Sequence, residues 1–306
     1  MLRLDRSGDA SAWAMESPGV NPAKVRETAK MTQASGKRMA VIIYLRVLNV
    51  DFMIRMHRIM HLLPQKQKLL LLLAALTVSA CVQAQTPSSE APDPITVLTA
   101  GGGSSHDFDR WFHEEDADIL EEAGIHAAYT DVPAHILPAL DTLDVLRIVT
   151  NQPMTDPELH EGVFYFVGAG KGLVIGHPGA WYNWLNWPEY NQELVGGGAR
   201  SHRQYGTFTV QVIEPDHPVM ADVPAEFTIE DELYRSERDP EGSSIHVLAE
   251  AEEVETGETY PIVWTVHHTN GRIVVNTLGH DGAAHQHPAY ARILRNSVEW
   301  AARRTP

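Results

Sequence analysis

The stretch Gly172-Leu-Val-Ile-Gly176 constrains the fold more than any other. It is short, wholly apolar and closed on both sides by turn residues, the pattern of a strand buried on both faces. Strands of that kind belong to parallel sheets with helices packed above and below. The same rhythm runs upstream. Residues 95–100, 126–131 and 145–150 read as strands, and 108–123 and 157–167 as helices. Asp107 is placed to cap the first helix and Gly124 to end it. Strands and helices alternating in this way predict an α/β fold with a parallel sheet and right-handed crossovers.

Downstream the pattern changes. Residues 188–194 read as a short helix stopped by Gly196-Gly-Gly198, and 208–213, 227–229 and 245–249 as strands. Residues 261–267 and 272–278 flank Asn270-Gly271, a pair suited to a type I′ turn, so they read as a β-hairpin. Residues 288–304 close the chain as an amphipathic helix with Ile293, Leu294, Val298 and Trp300 on its apolar side. No internal repeat and no second linker interrupts residues 95–306, which read as one domain.

What precedes that domain has a different character. Residues 1–68 carry 12 Lys+Arg against 5 Asp+Glu, whereas residues 82–306 carry 12 against 35. A domain that acidic repels phosphate backbones, so nucleic acid is not an expected partner. Lys66-Gln-Lys68, the run Leu69-Leu-Leu-Leu-Leu-Ala-Ala-Leu76 and the small residues up to Cys81 form a basic, an apolar and a cleavage region. That is the signature of a secretory signal, here over residues 56–80. The apolar run is too short to cross a bilayer as a helix. Val78-Ser79-Ala80-Cys81 resembles the bacterial lipobox, which would make Cys81 a lipidated N-terminus anchored to the bacterial envelope. Cleavage after Ala84 would instead give a soluble periplasmic protein. Residues 81–94 read as a Pro/Ser-rich tether. Residues 1–55 read as a leader that is either disordered or precedes the true start at Met53, Met56 or Met60.

Ligands of α/β sheets bind beyond the carboxyl ends of the strands. Five residues fall at or after predicted strand ends: His106, His177, His202, Glu232 and His280. They suit two chemistries. Imidazoles titrate near neutral pH, so His177 and His280 can serve as general base and acid. Alternatively His106, His177, His202 or His280, with Glu232, can ligate a divalent ion, and an imidazole-rich set favours a Zn²⁺-like ion over Mg²⁺ or Ca²⁺. No H-E-x-x-H spacing decides between them. His285 and His287 read either as further ligands or as solvated loop residues. Trp181, Tyr182, Trp184 and Trp187, with Asn183 and Asn186 among them, read either as the wall of a site or as core packing. Gly101-Gly-Gly103 lacks the G-x-G-x-x-G spacing of a phosphate loop and reads as a sharp turn presenting His106. No G-x-S-x-G occurs, so Ser104, Ser105 and Ser201 read as loop serines.

The series Gly172-Leu-Val-Ile-Gly-His177, Trp187-Pro-Glu-Tyr-Asn-Gln-Glu-Leu-Val-Gly-Gly197, His202, His217-Pro218, Asp231-Glu-Leu-Tyr234, Leu278-Gly-His280 and Val298-Glu-Trp300 resembles the ThuA-like (trehalose utilisation) family. The resemblance spans residues 95–303. It implies a class I glutamine amidotransferase-like, flavodoxin-like fold. That is a three-layer sandwich with a mostly parallel central sheet, completed here by the C-terminal hairpin and helix. It also implies a small carbohydrate substrate, a glycoside or 3-keto-glycoside. On such a ring Trp181, Tyr182, Trp184 and Trp187 would stack while Asn183 and Asn186 meet hydroxyls, with Tyr234 as a further substrate-binding residue. True glutamine amidotransferases carry a cysteine nucleophile at the strand-to-helix elbow. Gly176-His177-Pro178 stands there and residues 82–306 contain no cysteine, which excludes thiol-based glutamine hydrolysis. Two functions follow from the resemblance: a ThuA-type sugar-processing enzyme, or a non-catalytic carbohydrate-binding or interaction lipoprotein on the same fold.

Overall fold

The computed structural model describes residues 93–305; the segments read as leader and signal, Cys81 and the expected tether as far as residue 92 lie outside them. Where the sequence is apolar without alternation, it forms strands covered on both sides. β1 (Thr96–Ala100), β3 (Val145–Ile148), β4 (Gly172–Gly176) and β11 (Arg272–Asn276) are buried almost throughout. With the edge strand β2 (His126–Thr130) they lie parallel in the order β2-β1-β3-β4-β11. This is the flavodoxin-like order, and it reverses between β1 and β3. Beyond β11 the sheet continues antiparallel through β10 (Glu258–Val266), β9 (Ile245–Glu253), β6 (Gly206–Val212) and β7 (Glu226–Asp231), nine strands in all. The sheet is therefore mixed, parallel on one side of β11 and antiparallel on the other.

Alternate residues of the parallel strands feed opposite layers. Val97, Val145, Val174 and Val274 pack with Leu120 of α1 (Asp116–Glu122) and with Ile293 and Val298 of α3 (Pro288–Ala301). Leu98, Leu146, Leu173, Ile175 and Val275 pack with Leu159 and Val163 of α2 (Pro157–Gly168). A slip of one residue would exchange the two cores, so packing fixes the register. Each fully buried side chain of this size contributes about 1.5–3 kcal/mol over its exposed state.

Local structure departs from the sequence reading in three places. The helix read over 108–123 begins as a π-helical segment, Asp109–Glu115, before α1, and Phe108, Phe112 and Asp116 all turn inward. The hairpin forms, but not through a type I′ turn, since neither Asn270 nor Gly271 has a positive φ. Instead His268 Nδ1 accepts the amide N–H groups of Asn270 at 3.2 Å and Gly271 at 2.9 Å. Gly271 is required by close approach, because a Cβ there would fall 2.5 Å from the Val167 side chain. Finally, β5 (Gly197–His202) and β8 (Tyr234–Arg238), which lack apolar alternation, pair as a separate two-stranded antiparallel sheet.

Candidate functional site

The strand ends deliver one group each. After β1 the chain turns through Gly102 (φ +90°) and Gly103 (φ +134°) to His106, and a Cβ on Gly103 would fall 1.8 Å from Asn151 Oδ1. β4 runs straight into His177, the first residue of the 3₁₀ turn His177–Ala180. β11 leads to Gly279 and His280, and β7 to Asp231 and Glu232. One nitrogen from each of His106, His177 and His280 and one Glu232 oxygen all lie within 4.8 Å of one another. His177 Nε2 stands 3.6 Å, and His280 Nδ1 3.2 Å, from Glu232 Oε2. The His106 ring is centred 4.9 Å from those of His177 and His280. The group borders a cavity of about 250 Å³, which Asn151, Trp181, Asn183, His202 and Tyr234 also line.

The other ring nitrogens of His177 and His106 are held in place. His177 Nδ1 donates to the Thr277 carbonyl at 2.6 Å, which leaves the lone pair of the neutral ring on Nε2. His106 Nδ1 meets Ser105 Oγ at 2.5 Å, and that oxygen accepts from Asn151 Nδ2 at 2.7 Å. His106 Nε2, His177 Nε2 and His280 Nδ1 are buried and have no hydrogen-bond partner outside the cluster, the last two facing only Glu232. Buried polar atoms are normally paired, so three such atoms around one carboxylate mark a place for something else. Ligand separations of 3.2 and 3.6 Å bracket the edge of a tetrahedron around a Zn²⁺-like ion, roughly 3.4 Å for bonds of ~2.0–2.1 Å.

The electrostatics agree. Burial would raise the Glu232 carboxyl, but His177 and His280 beside it hold it well below the usual carboxylate range. That carboxylate in turn pushes His280 up. Burial, reinforced by His177 and His280, lowers His106 to about 3, which leaves the ring neutral and able to donate its lone pair. Burial pushes the Tyr234 phenol up, so it stays protonated. Asp231, which the sequence reading passed over, fixes two of these groups at once. Its Oδ1 accepts the N–H groups of Glu232 at 2.7 Å and His280 at 3.2 Å, and its Oδ2 accepts Gly279 N–H at 2.8 Å. The signal for it was present as the Asp-Glu doublet at the end of β7.

The remaining predicted residues divide. His202 lies at the rim of the cavity outside the cluster, its Nδ1 donating to the Arg203 carbonyl at 2.8 Å. Among the described residues the fourth member of the metal-competent set is thus Glu232. Trp181 and Asn183 line the cavity, but Trp184 does not: it packs edge-on against Tyr190 in the core and donates Nε1 to the Gln152 carbonyl. Trp187 is core as well, stacked on His160. Tyr182 turns away under the Arg200 guanidinium, 3.6 Å from its ring centroid. His285 and His287 are not solvated loop residues either. His285 is fully buried, and His287 caps α3 by accepting Ala289 N–H.

The family model for trehalose utilisation proteins, ThuA, matches residues 95–301. The chain belongs to the ThuA family. Two solved ThuA-like structures share its fold. One, from Parabacteroides merdae, is 23% identical with a TM-score of 0.60, covering 68% of this chain and 90% of that one. The other, from Bacteroides uniformis, is 19% identical with a TM-score of 0.59, covering 70% and 94%. No curated protein matches the sequence. In this ThuA chain the parallel half of the sheet supplies His106, His177 and His280, while β7 supplies Glu232 and the small sheet closes the wall.

Proposed function

We propose that this ThuA-family domain is a carbohydrate-processing enzyme acting on a glycoside or 3-keto-glycoside at His106, His177, Glu232 and His280. The observation that carries the proposal is the set of three buried imidazole nitrogens, with no partner outside the cluster, around one ionised carboxylate beside a cavity. At about 250 Å³ that cavity suits a small molecule rather than a polymer segment. The family's link to trehalose utilisation supports a sugar. So do Trp181 and Tyr234, which meet edge to face at 5.2 Å and give a pyranose flat apolar surface. Asn151 and Asn183 line the same cavity and offer amide groups to hydroxyls.

The four clustered side chains would hold a Zn²⁺-like ion, which when bound supplies Lewis-acid polarisation of a sugar carbonyl. The chain's own groups manage orientation and protons. Thr277 fixes His177 in the tautomer that presents Nε2 to the cluster. His202, part-exposed at the rim, is placed to pass a proton between substrate and solvent. Export and lipidation at Cys81 belong to the same reading and rest on residues 66–81 of the sequence. The test is to incubate the full chain with glycosides and 3-keto-glycosides, with and without chelator. Product that chelator abolishes and Zn²⁺ restores is expected. Binding without product would favour the carbohydrate-binding alternative.

A further inference from the structure

A further histidine lies directly behind the cluster, and nothing in the reaction proposed above uses it. His285 is fully buried. Its Nδ1 lies 2.7 Å from Asp116 Oδ1 and its Nε2 3.1 Å from the Gly279 carbonyl oxygen. The ring is clamped by Trp111, stacked at 6.1 Å, and by Phe112 and Tyr290, each at 4.7 Å. Asp116 is itself pinned, its Oδ2 accepting from Arg147 at 2.6 Å and from the Tyr290 hydroxyl at 3.1 Å.

Gly279 is the residue before His280, and it is gripped from both sides. Its N–H goes to Asp231 and its carbonyl to His285. Its φ is +122°, and a Cβ would fall 3.2 Å from the Tyr290 ring and 3.4 Å from His285 Nε2. So much apparatus around one peptide unit does more than fill the core. It fixes where the next side chain stands. We infer that Asp116 and His285 are positioning residues which, through the Gly279 carbonyl, set the place of the His280 imidazole in the cluster. This rests on the cluster's being the working site.

Two substitutions of one residue separate positioning from mere structure. The amide of His285→Asn reaches the place of Nδ1 and keeps the Asp116 contact. The amide of His285→Gln reaches the place of Nε2 and keeps the Gly279 contact. Co²⁺ titration of the full chain, followed by its visible absorption band, reads both variants against wild type. H285N is expected to bind about 10–100-fold more weakly with an altered band, as loss of an outer-shell partner does. H285Q is expected to recover most of the affinity. H285N binding like wild type, or H285Q failing as badly as H285N, would overturn the inference. If wild type itself takes up no Co²⁺, the metal reading fails separately. Amide exchange at Gly279 and His280 then decides: faster in H285N than in H285Q at equal urea midpoints supports positioning, and equal rates refute it.

Discussion

Two histidine–carboxylate clusters share a wall in this protein, for the Phe112 ring lies 6.0 Å from His106 and 4.7 Å from His285. In the inner cluster both nitrogens of His285 and both oxygens of Asp116 are engaged. In the outer cluster three imidazole nitrogens converge on one carboxylate and have no partner beyond it. The histidine and carboxylate types are alike and their pairing differs, although Nε and Nη1 of Arg147 beside the inner pair also lack partners. Groups that satisfy one another hold the fold together. Groups left unsatisfied at the edge of a cavity are held ready for a ligand.

If that contrast is sound, the two clusters answer differently to substitution. His177→Ala should reduce sugar turnover by about 10²–10⁴-fold and cost less stability than Asp116→Ala, because beyond the base or ligand it leaves only the Thr277 carbonyl without its donor and no charge unpaired. Asp116→Ala should cost stability above all, with a smaller loss of turnover through the displaced His285 and His280. It leaves Arg147 buried without its carboxylate, which typically costs about 3–5 kcal/mol of stability in urea unfolding. Equal damage to stability from both variants would erase the contrast.

Acid sharpens it. Burial opposes ionisation of Asp116, but Arg147 and His285 hold its carboxyl below the ordinary 3.8. Its contribution is complete above that unfolded value and is lost as pH falls through the lower folded one. His106 acts at higher pH. With its ring lowered from 6.5 to about 3, the unfolded chain binds a proton there that the metal-free native chain does not. Stability should therefore fall as pH drops from 6.5 towards 3, by up to about 1.4 kcal/mol per pH unit. His106→Gln should flatten that slope in chelator-treated protein. An unchanged slope would show that this ring is not kept neutral. The smallest effect belongs to the cavity wall. Trp181→Ala should raise the KM for a sugar by roughly 2–10-fold, the worth of one aromatic stacking face. Trp184→Ala, a core residue 5% exposed, should cost stability instead.

The parallel half of the fold and three of the site's imidazoles were legible because they follow from local rules. An apolar run such as Leu173-Val-Ile175 becomes a strand, and the residue after it, His177, stands at the carboxyl edge. Glu232 was legible for the same reason, as the residue following β7. What could not be read depended on partners far away in sequence. β5 and β8, Gly-Gly-Ala-Arg-Ser-His and Tyr-Arg-Ser-Glu-Arg, have no alternation of their own and form by pairing with each other. The burial of His285 depends on Asp116, 169 residues earlier. The division of the aromatic run into wall (Trp181) and core (Trp184, Trp187) is set by Gln152, Tyr190 and His160, none of which periodicity connects to it. Asn270-Gly271 misled because His268 and the crowding at Val167 took over a turn that the dipeptide alone would have made differently.

Calorimetric titration of the chelator-treated full chain with Zn²⁺ tests the central claim most directly. One ion per chain is expected, with binding lost in His177→Ala and weakened in Glu232→Gln while both variants keep a cooperative urea transition. Absence of binding, or binding that survives His177→Ala unchanged, would contradict it.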